Sequence, residues 1–195
     1  MNTLKGRKAG QHGFTMIELI VVIVILGILA AVALPRFTSV QRDARIAKLN
    51  AARGAVLAAA GMIHGTALVR GGVADTAACP ANVGVGPATA NNTTNVCTEN
   101  GRVQILNGYP TANLPGIIDA SGLTSTFPST AAALAAEGYS TTGGGAVAGS
   151  ILTIRVNGGS NAAQCFFTYT QPAANTAPQV GSPAAANATG NTAGC

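Results

Sequence analysis

Tryptophan is absent from this sequence, and charged residues are scarce, making up 9% of its 195 positions. Aromatic residues account for only 4%, so the composition is unlike that of a typical cytosolic enzyme. So little charge also argues against a solvated disordered chain, because such disorder depends on high net charge. Only two histidines occur, His12 and His64, and neither has companions that suggest a catalytic or ligand role.

Recognisable catalytic motifs are also missing. Asp75, Glu99, Asp119 and Glu137 lie singly along the chain, without the spacing of paired catalytic acids or of metal ligands. The glycine-rich stretch at 143–149 lacks the Lys-Ser/Thr ending of a phosphate-binding loop. The sequence therefore predicts that the protein is not an enzyme and uses no cofactor and no metal.

A basic surface for nucleic acids is not expected either. The formal net charge is +5, but Lys5, Arg7 and Lys8 contribute three of the positive charges near the start of the chain. Beyond residue 60 the only Lys or Arg residues are three arginines, which are too few to form a clustered basic face. We therefore predict no specific nucleic-acid partner.

A long apolar run dominates the first part of the chain. Between residues 14 and 34 the only charged side chain is Glu18. At about 1.5 Å per residue, this run spans roughly 30 Å, the thickness of the hydrocarbon core of a bilayer. An uncleaved membrane anchor fits better than an ordinary secretory signal, because no well-placed small-residue cleavage site closes the run before Pro35.

Four cysteines, Cys79, Cys97, Cys165 and Cys195, all follow the apolar run. They contain no C-x-x-C spacing, which disfavours zinc and thioredoxin-like sites. An even count in this context favours two disulfides and an oxidising compartment over four free thiols, and so places the C-terminal part outside the cytoplasm. Of three possible connectivities, we favour nearest neighbours, because each such bond closes a segment with little packing potential of its own.

The helix is predicted to continue past Pro35 to about residue 65 and to stop at Gly71-Gly72. Pro35 should introduce a kink, because it removes one backbone donor and crowds the previous turn. Apolar residues then recur at spacings of three and four, provided that Arg53 is allowed at one position of the series. They predict one buried face, widened by Leu57: Ile46, Leu49, Val56, Ala60 and Ile63. Arg42, Arg45 and Lys48 are expected on the wetter side.

Beyond the helix the sequence predicts a small antiparallel sheet, and hence an α+β fold. Strands are expected at 102–106, 151–156 and 165–170, the last two forming a hairpin. Residues 129–137 predict a short helix with Ser129 as its cap and Gly138 at its end. Residues 73–101 are expected to form a loop, and 172–194 to be disordered unless Cys195 tethers them.

The start of the chain resembles the class III signal of type IV pilins and pseudopilins. The resemblance rests on a short basic leader, the residues G-F-T-M-I-E-L at 13–19, about sixteen further apolar residues and Pro35. It implies cleavage by a prepilin peptidase between Gly13 and Phe14, and N-methylation of Phe14. It also implies four segments: a leader at 1–13, a membrane-spanning or filament-core helix at 14–35, an amphipathic helix at 36–66 and a globular head at 67–195.

In the filament that this resemblance implies, Glu18 would lie in an apolar core and would need a partner, because buried carboxylates persist only when paired. Cleavage after Gly13 creates one, the α-amino group of Phe14 in a neighbouring copy. The alternative reading of Glu18 is a carboxylate that only stabilises the positive end of its own helix. The motif "NGYPTA" at 107–112 further resembles the mannose-sensitive haemagglutinin class of pilins.

The resemblance predicts a structural subunit of a type IV pilus that serves adhesion, motility or uptake. Its expected partners are copies of itself, the membrane, the peptidase, and an inner-membrane assembly platform with its ATPase. The head would lie in the periplasm before assembly and on the cell surface afterwards. The alternatives are a pseudopilin of a type II secretion system and a membrane-anchored extracytoplasmic binding protein.

Overall fold

The computed structural model describes residues 13–79, 83, 84, 86, 88–183 and 187–195, so the leader at 1–12 lies outside the described residues. The first element, α1, is a helix of 55 residues, Met16–Arg70, continuous through Pro35. It ends at Gly71 and Gly72, whose φ angles of +58° and +72° are left-handed and suit glycine. The helix thus ends where the glycine pair predicts.

The chain divides after Gln41 into two compact units. The first holds the apolar part of α1. The second, Arg42–Cys195, holds the rest of α1 together with the sheets, and we call it the head. Within the head, α1 packs on small antiparallel sheets, which confirms the predicted α+β fold with its long kinked helix. The location of the kink at Pro35 and the four segment boundaries stay predictions.

One face of α1 in the head is buried, as its apolar spacing predicts. Leu49 and Val56 are fully buried, Ala60 and Ile63 nearly so, and Ile46 packs at the edge of the core. The prediction for Leu57 is wrong: its side chain is 43% exposed. The reason is helical geometry, since adjacent residues project about 100° apart and Val56 already points at the sheet.

The described residues of the head form two antiparallel sheets. The smaller consists of β1 (Asn95–Cys97), β2 (Arg102–Leu106) and β3 (Tyr109–Pro110) in that order. The larger has the order β4–β5–β6–β7, and β8 also pairs with β6. Its strands are β4 (Tyr139–Gly143), β5 (Ile151–Val156), β6 (Phe166–Thr170), β7 (Gln179–Val180) and β8 (Gly190–Asn191).

The β5–β6 hairpin forms the centre of the larger sheet. Its register places Ile154 opposite Phe167, and both side chains are fully buried. Along β5, buried residues alternate with more exposed ones from Leu152 onward, the pattern of a strand with one face on the core. The main core thus lies between this hairpin and α1.

Short helical turns connect the two sheets. A π-helical turn, Leu114–Ile118, leads into α2 (Asp119–Ser121), and α3 (Ala131–Ala136) precedes β4. The prediction that Ser129 caps α3 is wrong. The cap is Thr130, whose side chain accepts a hydrogen bond from the Ala133 N–H. Ser129 instead donates its own N–H to a side-chain oxygen of Asp119 at 2.6 Å.

Strands that the sequence did not indicate occur in two regions: the predicted loop at 73–101, and the segment 172–194, which was expected to be disordered unless Cys195 tethers it. Strand β1 lies within 73–101, and β7 and β8 lie within 172–194. All three are two or three residues long, too short for a periodic pattern to appear. The region 73–101 also contains Pro80 and Pro87, which favour a loop. Both prolines lie outside the described residues.

Candidate functional site

The first turn of α1 holds Glu18 in a reciprocal hydrogen-bond pattern with Thr15. The Thr15 N–H and hydroxyl donate to Glu18 Oε2 at 2.9 and 2.8 Å, and the Glu18 N–H donates to Thr15 Oγ1 at 3.3 Å. This is a capping box, in which each side chain satisfies backbone donors that a helix start leaves free. Thr15 was not predicted to have a role, although the T-x-x-E sequence at 15–18 is the signature of a capping box.

The second carboxylate oxygen of Glu18 is left without a partner. Within the described part of the chain, Oε1 takes no hydrogen bond, because both donors of Thr15 go to Oε2. The surroundings of Glu18 are apolar: Phe14, Ile17, Val21 and Val22 line the surface around it. The site can therefore accept one more donor at Glu18, preferably a cation.

From residue 19 to residue 34, α1 carries only apolar side chains and glycine. By length and composition, α1 could cross a membrane, and its most apolar stretch is not buried against the protein at all. Phe14 is 92% exposed, and its neighbour Gly13 lies beside it at the start of the described chain. This surface includes the exposed residues Met16, Ile17, Leu19, Ile20, Val21, Val22, Ile23, Val24, Ile25, Leu26, Ile28, Leu29, Val32 and Leu34.

Basic residues on the head part of α1 bind backbone carbonyls rather than facing water. Arg53 donates from Nε to the Gly181 carbonyl at 2.8 Å and from Nη2 to that of Val180 at 3.4 Å. Arg45 donates to the Cys195 carbonyl at 3.0 Å. These charge-assisted bonds attach the segment 180–195 to the helix.

Lys48 and Arg42 make contacts of the same kind. Lys48 donates to the Glu137 carbonyl, and its ammonium lies 4.5 Å from the centre of the Tyr139 ring. Arg42 reaches the Thr192 carbonyl at 3.5 Å. The side of α1 that was expected to face water is therefore only partly solvated. Other segments of the head contact the helix on this side.

Two disulfides join the cysteines. Cys79 is bonded to Cys97 and Cys165 to Cys195, with Cα–Cα distances of 5.4 and 4.8 Å. This is the nearest-neighbour connectivity that the sequence favours. Cys165 stands directly before β6 at the core, so its bond fixes the end of the segment 180–195 to the central hairpin.

The side chains that were not predicted to be active, His64 and Asp119, occupy structural positions. His64 stacks on Tyr109 with ring centroids 3.9 Å apart, and its Nδ1 lies 3.1 Å from the Gly108 carbonyl oxygen. Asp119 is 7% exposed, and burial raises the pKa of its carboxyl against the opposing effect of its hydrogen bond from Ser129. Within the described ranges, no group of three or more His, Cys, Asp or Glu residues could hold a metal ion.

Of the residues singled out from the sequence, three therefore lie together at the start of α1: Gly13, Phe14 and Glu18. Pro35 lies farther along the same helix, and the cysteines form two separate bonds in the head. Nothing in this arrangement offers a nucleophile with an adjacent base. What it offers is a continuous apolar surface with a single carboxylate near one end.

Two comparisons with known proteins bear on this arrangement. Residues 8–34 match the prokaryotic N-terminal methylation motif. A stretch of 47 residues is 51% identical to a curated relative described as the type IV narrow pilus major component PilA5 of Thermus thermophilus. That stretch is 24% of this chain and 40% of the relative, so the chain spans less than half of that protein's length. No solved structure matches.

Proposed function

By its N-terminal segment this chain belongs to the type IV pilin family, and on that premise we propose that it is the structural subunit of a surface pilus. The observation that carries the proposal is the exposed apolar part of α1, with Glu18 as its only charge. Such a surface is stable only inside a bilayer or against other apolar helices. A membrane-anchored precursor that later polymerises through this helix meets both conditions in turn.

Glu18 sets the register of polymerisation in this proposal. A prepilin peptidase cuts between Gly13 and Phe14 and methylates the new amino group of Phe14. When a second copy docks along the helix, that cation reaches Oε1 of Glu18, the carboxylate oxygen that Thr15 leaves free. In the apolar filament core, an unpaired carboxylate or ammonium is strongly unfavourable, so only the register that pairs them is stable.

The capping box refines this mechanism. Because Thr15 already holds Oε2, the Glu18 carboxylate is oriented before a partner arrives. A preorientated acceptor loses less side-chain freedom on binding than a mobile one. The local capping role and the pairing role are therefore compatible, since they use different oxygens of one side chain.

The compartment follows from the disulfides. Both bonds lie in the head, and structural disulfides form in oxidising compartments such as the bacterial periplasm. We therefore propose that the head is periplasmic in the precursor and extracellular in the filament. An inner-membrane assembly platform and an assembly ATPase would extract and polymerise the precursor. Adhesion, motility or uptake are the uses proposed for the fibre, and the mannose-sensitive haemagglutinin subtype stays a prediction.

The first experiment examines the N-terminus of the mature protein. Intact-mass and N-terminal peptide analysis should find a chain that starts with methylated Phe14. A mature chain that retains residues 1–13, or one that starts near Phe37, would contradict the proposed processing. Gly13→Leu is the matched variant: it should leave the precursor uncut in the membrane fraction, since the peptidase acts after this glycine in the family.

A second experiment separates the pilus from its alternatives. The gene is deleted, and sheared surface filaments are compared with secreted enzymes from the same cultures. We expect the filaments to be lost and secretion to persist. Lost secretion with intact surface fibres would instead identify a pseudopilin, and unchanged filaments and secretion would favour an anchored binding protein.

A further inference from the structure

One carboxylate oxygen of Asp119 is buried in the head without a hydrogen-bond partner. Asp119 is the first residue of α2 and is 7% exposed. Its Oδ1 accepts the Ser129 N–H at 2.6 Å, whereas its Oδ2 receives no hydrogen bond from any described residue. Removing a carboxylate oxygen from water is unfavourable unless a donor or a cation compensates it. Oδ2 is therefore suited to a ligand from outside the chain.

The hydroxyl groups of Thr124 and Ser129, which line a pocket together with Asp119, have no hydrogen left to donate. Thr124 Oγ1 donates its hydrogen to the Thr126 carbonyl at 2.8 Å. Thr124 Oγ1 also lies 2.8 Å from Ser129 Oγ, and because a hydroxyl has a single hydrogen, Ser129 is the donor in this second bond. The lone pairs of Ser129 Oγ remain available. This arrangement is rich in acceptors, which favours a cation.

Asp119 and Asn100 border two pockets of the head. The smaller has a volume of about 120 Å³, enough for an ion with some of its water, and lies at the loop that follows α2. The larger, about 450 Å³, lies between α1 and the β1–β2 turn at 98–101. Hard cations such as Ca²⁺ prefer oxygen ligands. Side chains with oxygen dominate the smaller pocket: Asn100, Asp119, Thr124, Ser125, Thr126 and Ser129.

The charged side chains of these two pockets are all negative. Glu99 and Asp119 are among the described residues that line them, and no Lys or Arg is. Within the part of the chain that the structure describes, neither carboxylate takes part in a salt bridge. Acidic residues without a basic neighbour attract cations and repel phosphate or carboxylate groups. A divalent cation would balance both charges.

The walls of the two pockets are held in place by bonds that need no ligand. In the β1–β2 turn the Thr98 N–H donates to the Gly101 carbonyl at 2.7 Å, and the Gly101 N–H donates to the Thr98 carbonyl at 3.3 Å. This turn packs on the loop that follows α2, because a Cβ on Gly101 would collide with the ring of Phe127. The Cys79–Cys97 disulfide fixes the strand from which the turn begins. A preformed site loses less conformational entropy on binding.

We propose that the head binds one calcium ion at Asp119. Asp119 Oδ2 and the Asn100 amide oxygen are side-chain ligands, and hydroxyl and carbonyl oxygens of residues 124–129 complete the shell together with water. Glu99 contributes the second negative charge. Calcium accepts six to eight oxygens in a flexible geometry, whereas magnesium requires a nearly regular octahedron. Because few ligands are charged, binding is weak, with a Kd of about 0.1–1 mM as in extracellular calcium modules.

The site belongs to the head alone and does not depend on the proposed polymerisation. The sequence predicts no metal, because Glu99 and Asp119 lie far apart in the chain and the neutral ligands are ordinary loop residues. The ion would connect the β1–β2 turn with the loop that follows α2. Since it binds the folded head only, it should also stabilise the head.

The test uses the full chain, purified in detergent and freed of metal with a chelator. Calcium chloride is titrated at constant ionic strength up to about 10 mM, ten times the weaker end of the expected Kd range. The readout is the set of backbone amide NMR signals. We expect saturable shifts confined to residues 98–101 and 119–130, and much smaller shifts with magnesium or sodium. Thermal unfolding of the same samples should show that calcium raises the Tm.

Variants then locate the ion. Asp119→Asn keeps the acceptor for the Ser129 N–H and removes the charge, so it should weaken calcium binding about tenfold or more. Asn100→Ala changes an exposed side chain, so the head should fold normally while calcium binding weakens several-fold. Glu99→Gln should have a smaller effect in the same direction. Glu137→Gln is the matched control, because it removes an exposed carboxylate outside both pockets and should leave binding unchanged.

Three results would overturn the proposal. One is the absence of saturable shifts over the whole calcium titration. Another is an equal response to magnesium or sodium, which would show general screening of charge rather than a site. The third is calcium binding that Asp119→Asn and Asn100→Ala both leave unchanged, which would place the ion elsewhere on the protein.

Discussion

The two parts of α1 use apolar residues in opposite ways, although they belong to one helix. Leu26, in the first part, is 58% exposed, and Leu49, in the second, is fully buried. The first part is apolar on every side, so no face is distinguished from another. In the second part apolar residues recur every three or four positions, and only that face is covered by the sheets.

This difference shows that the spacing of apolar residues, rather than their number, determines what a helix packs against. A one-sided stripe is satisfied within its own chain, because a sheet can cover one face only. A helix that is apolar all round needs a surrounding medium, either lipid or other helices. Substitutions that change one part at a time should therefore have separable effects on assembly and on the stability of the head.

Glu18→Ala tests the first part and should have the largest effect. Membrane insertion should be unchanged or slightly better, because a charge is removed from an apolar segment. Surface filaments should be lost, because the Phe14 amine of each neighbour would enter the core without a partner. The measurement compares the amount of protein in membranes with that in sheared filaments.

Two further variants separate pairing from capping. Glu18→Gln keeps an acceptor for Thr15 but removes the charge, so it should also prevent assembly. Thr15→Ala removes the capping bonds and leaves the carboxylate, so filaments should still form, with a helix end weakened by about 1 kcal/mol. Normal filament yield from Glu18→Ala would defeat the pairing mechanism.

Cys165→Ser with Cys195→Ser tests how the head is stabilised. The bond that they remove spans 30 residues, and closing a loop of this length is worth on the order of 3–4 kcal/mol. Urea unfolding should show a loss of this size, and protease should cleave within 172–194 first. The pair Cys79→Ser with Cys97→Ser is the comparison, since it should leave that segment protected.

Arg53→Met tests the contact between α1 and the segment 180–195. The change keeps the apolar stem and removes both hydrogen bonds to the Gly181 and Val180 carbonyls. The head should lose about 2 kcal/mol of unfolding free energy, as for other hydrogen bonds with a charged partner. Arg36→Met is the control, because Arg36 is exposed and lies outside the head. Equal losses from the two variants would refute the assignment.

Gly61→Ala should stabilise the head part of α1 by about 0.5–1 kcal/mol, because alanine restricts the unfolded chain and favours helix. Gly61 is exposed, and a Cβ at this position would meet no atom within 4 Å. Gly116→Ala is the contrasting variant: its Cβ would collide with Thr111 and should destabilise the head. Thermal unfolding of both variants measures the difference.

Asp119→Asn should change how stability depends on pH. Burial raises the pKa of the Asp119 carboxyl in the folded state. The folded head therefore binds this proton more tightly than the unfolded chain, and the stabilisation is lost as pH rises from near 4 through the folded pKa. Urea unfolding across this range should show wild-type stability falling relative to Asp119→Asn as pH rises. A relative rise would contradict the assignment.

The long elements could be predicted from sequence because their patterns repeat. The spacing from Ile46 to Ile63 gave the buried face of α1, and the alternation in 151–156 gave β5. Gly71 and Gly72 marked the end of the helix. In each case several residues indicate the same local structure, so the prediction does not depend on any single residue.

Two of the strands that escaped prediction depend on distant partners. Strands β7 and β8 exist because β6 offers hydrogen bonds and because Arg53 and Cys165 hold the segment from elsewhere in the chain. The two residues of each strand are too few to show, by their sequence alone, that these distant partners exist. The two pockets beside Asp119 are likewise assembled from separate stretches of the chain, whereas the Thr15–Glu18 capping box was local and could have been found.

The attachment of residues 180–195 to α1 has a mechanical consequence. In the proposed pilus, a pulling force would enter each head through α1, near Arg45 and Arg53. These same residues bind the segment that the Cys165–Cys195 bond ties to β6. The load would pass from α1 through these hydrogen bonds to the segment 180–195, and from Cys195 through the disulfide to the residue before β6. Under reducing conditions the same fibre should stretch and fail at lower tension, although its helical core would be unchanged.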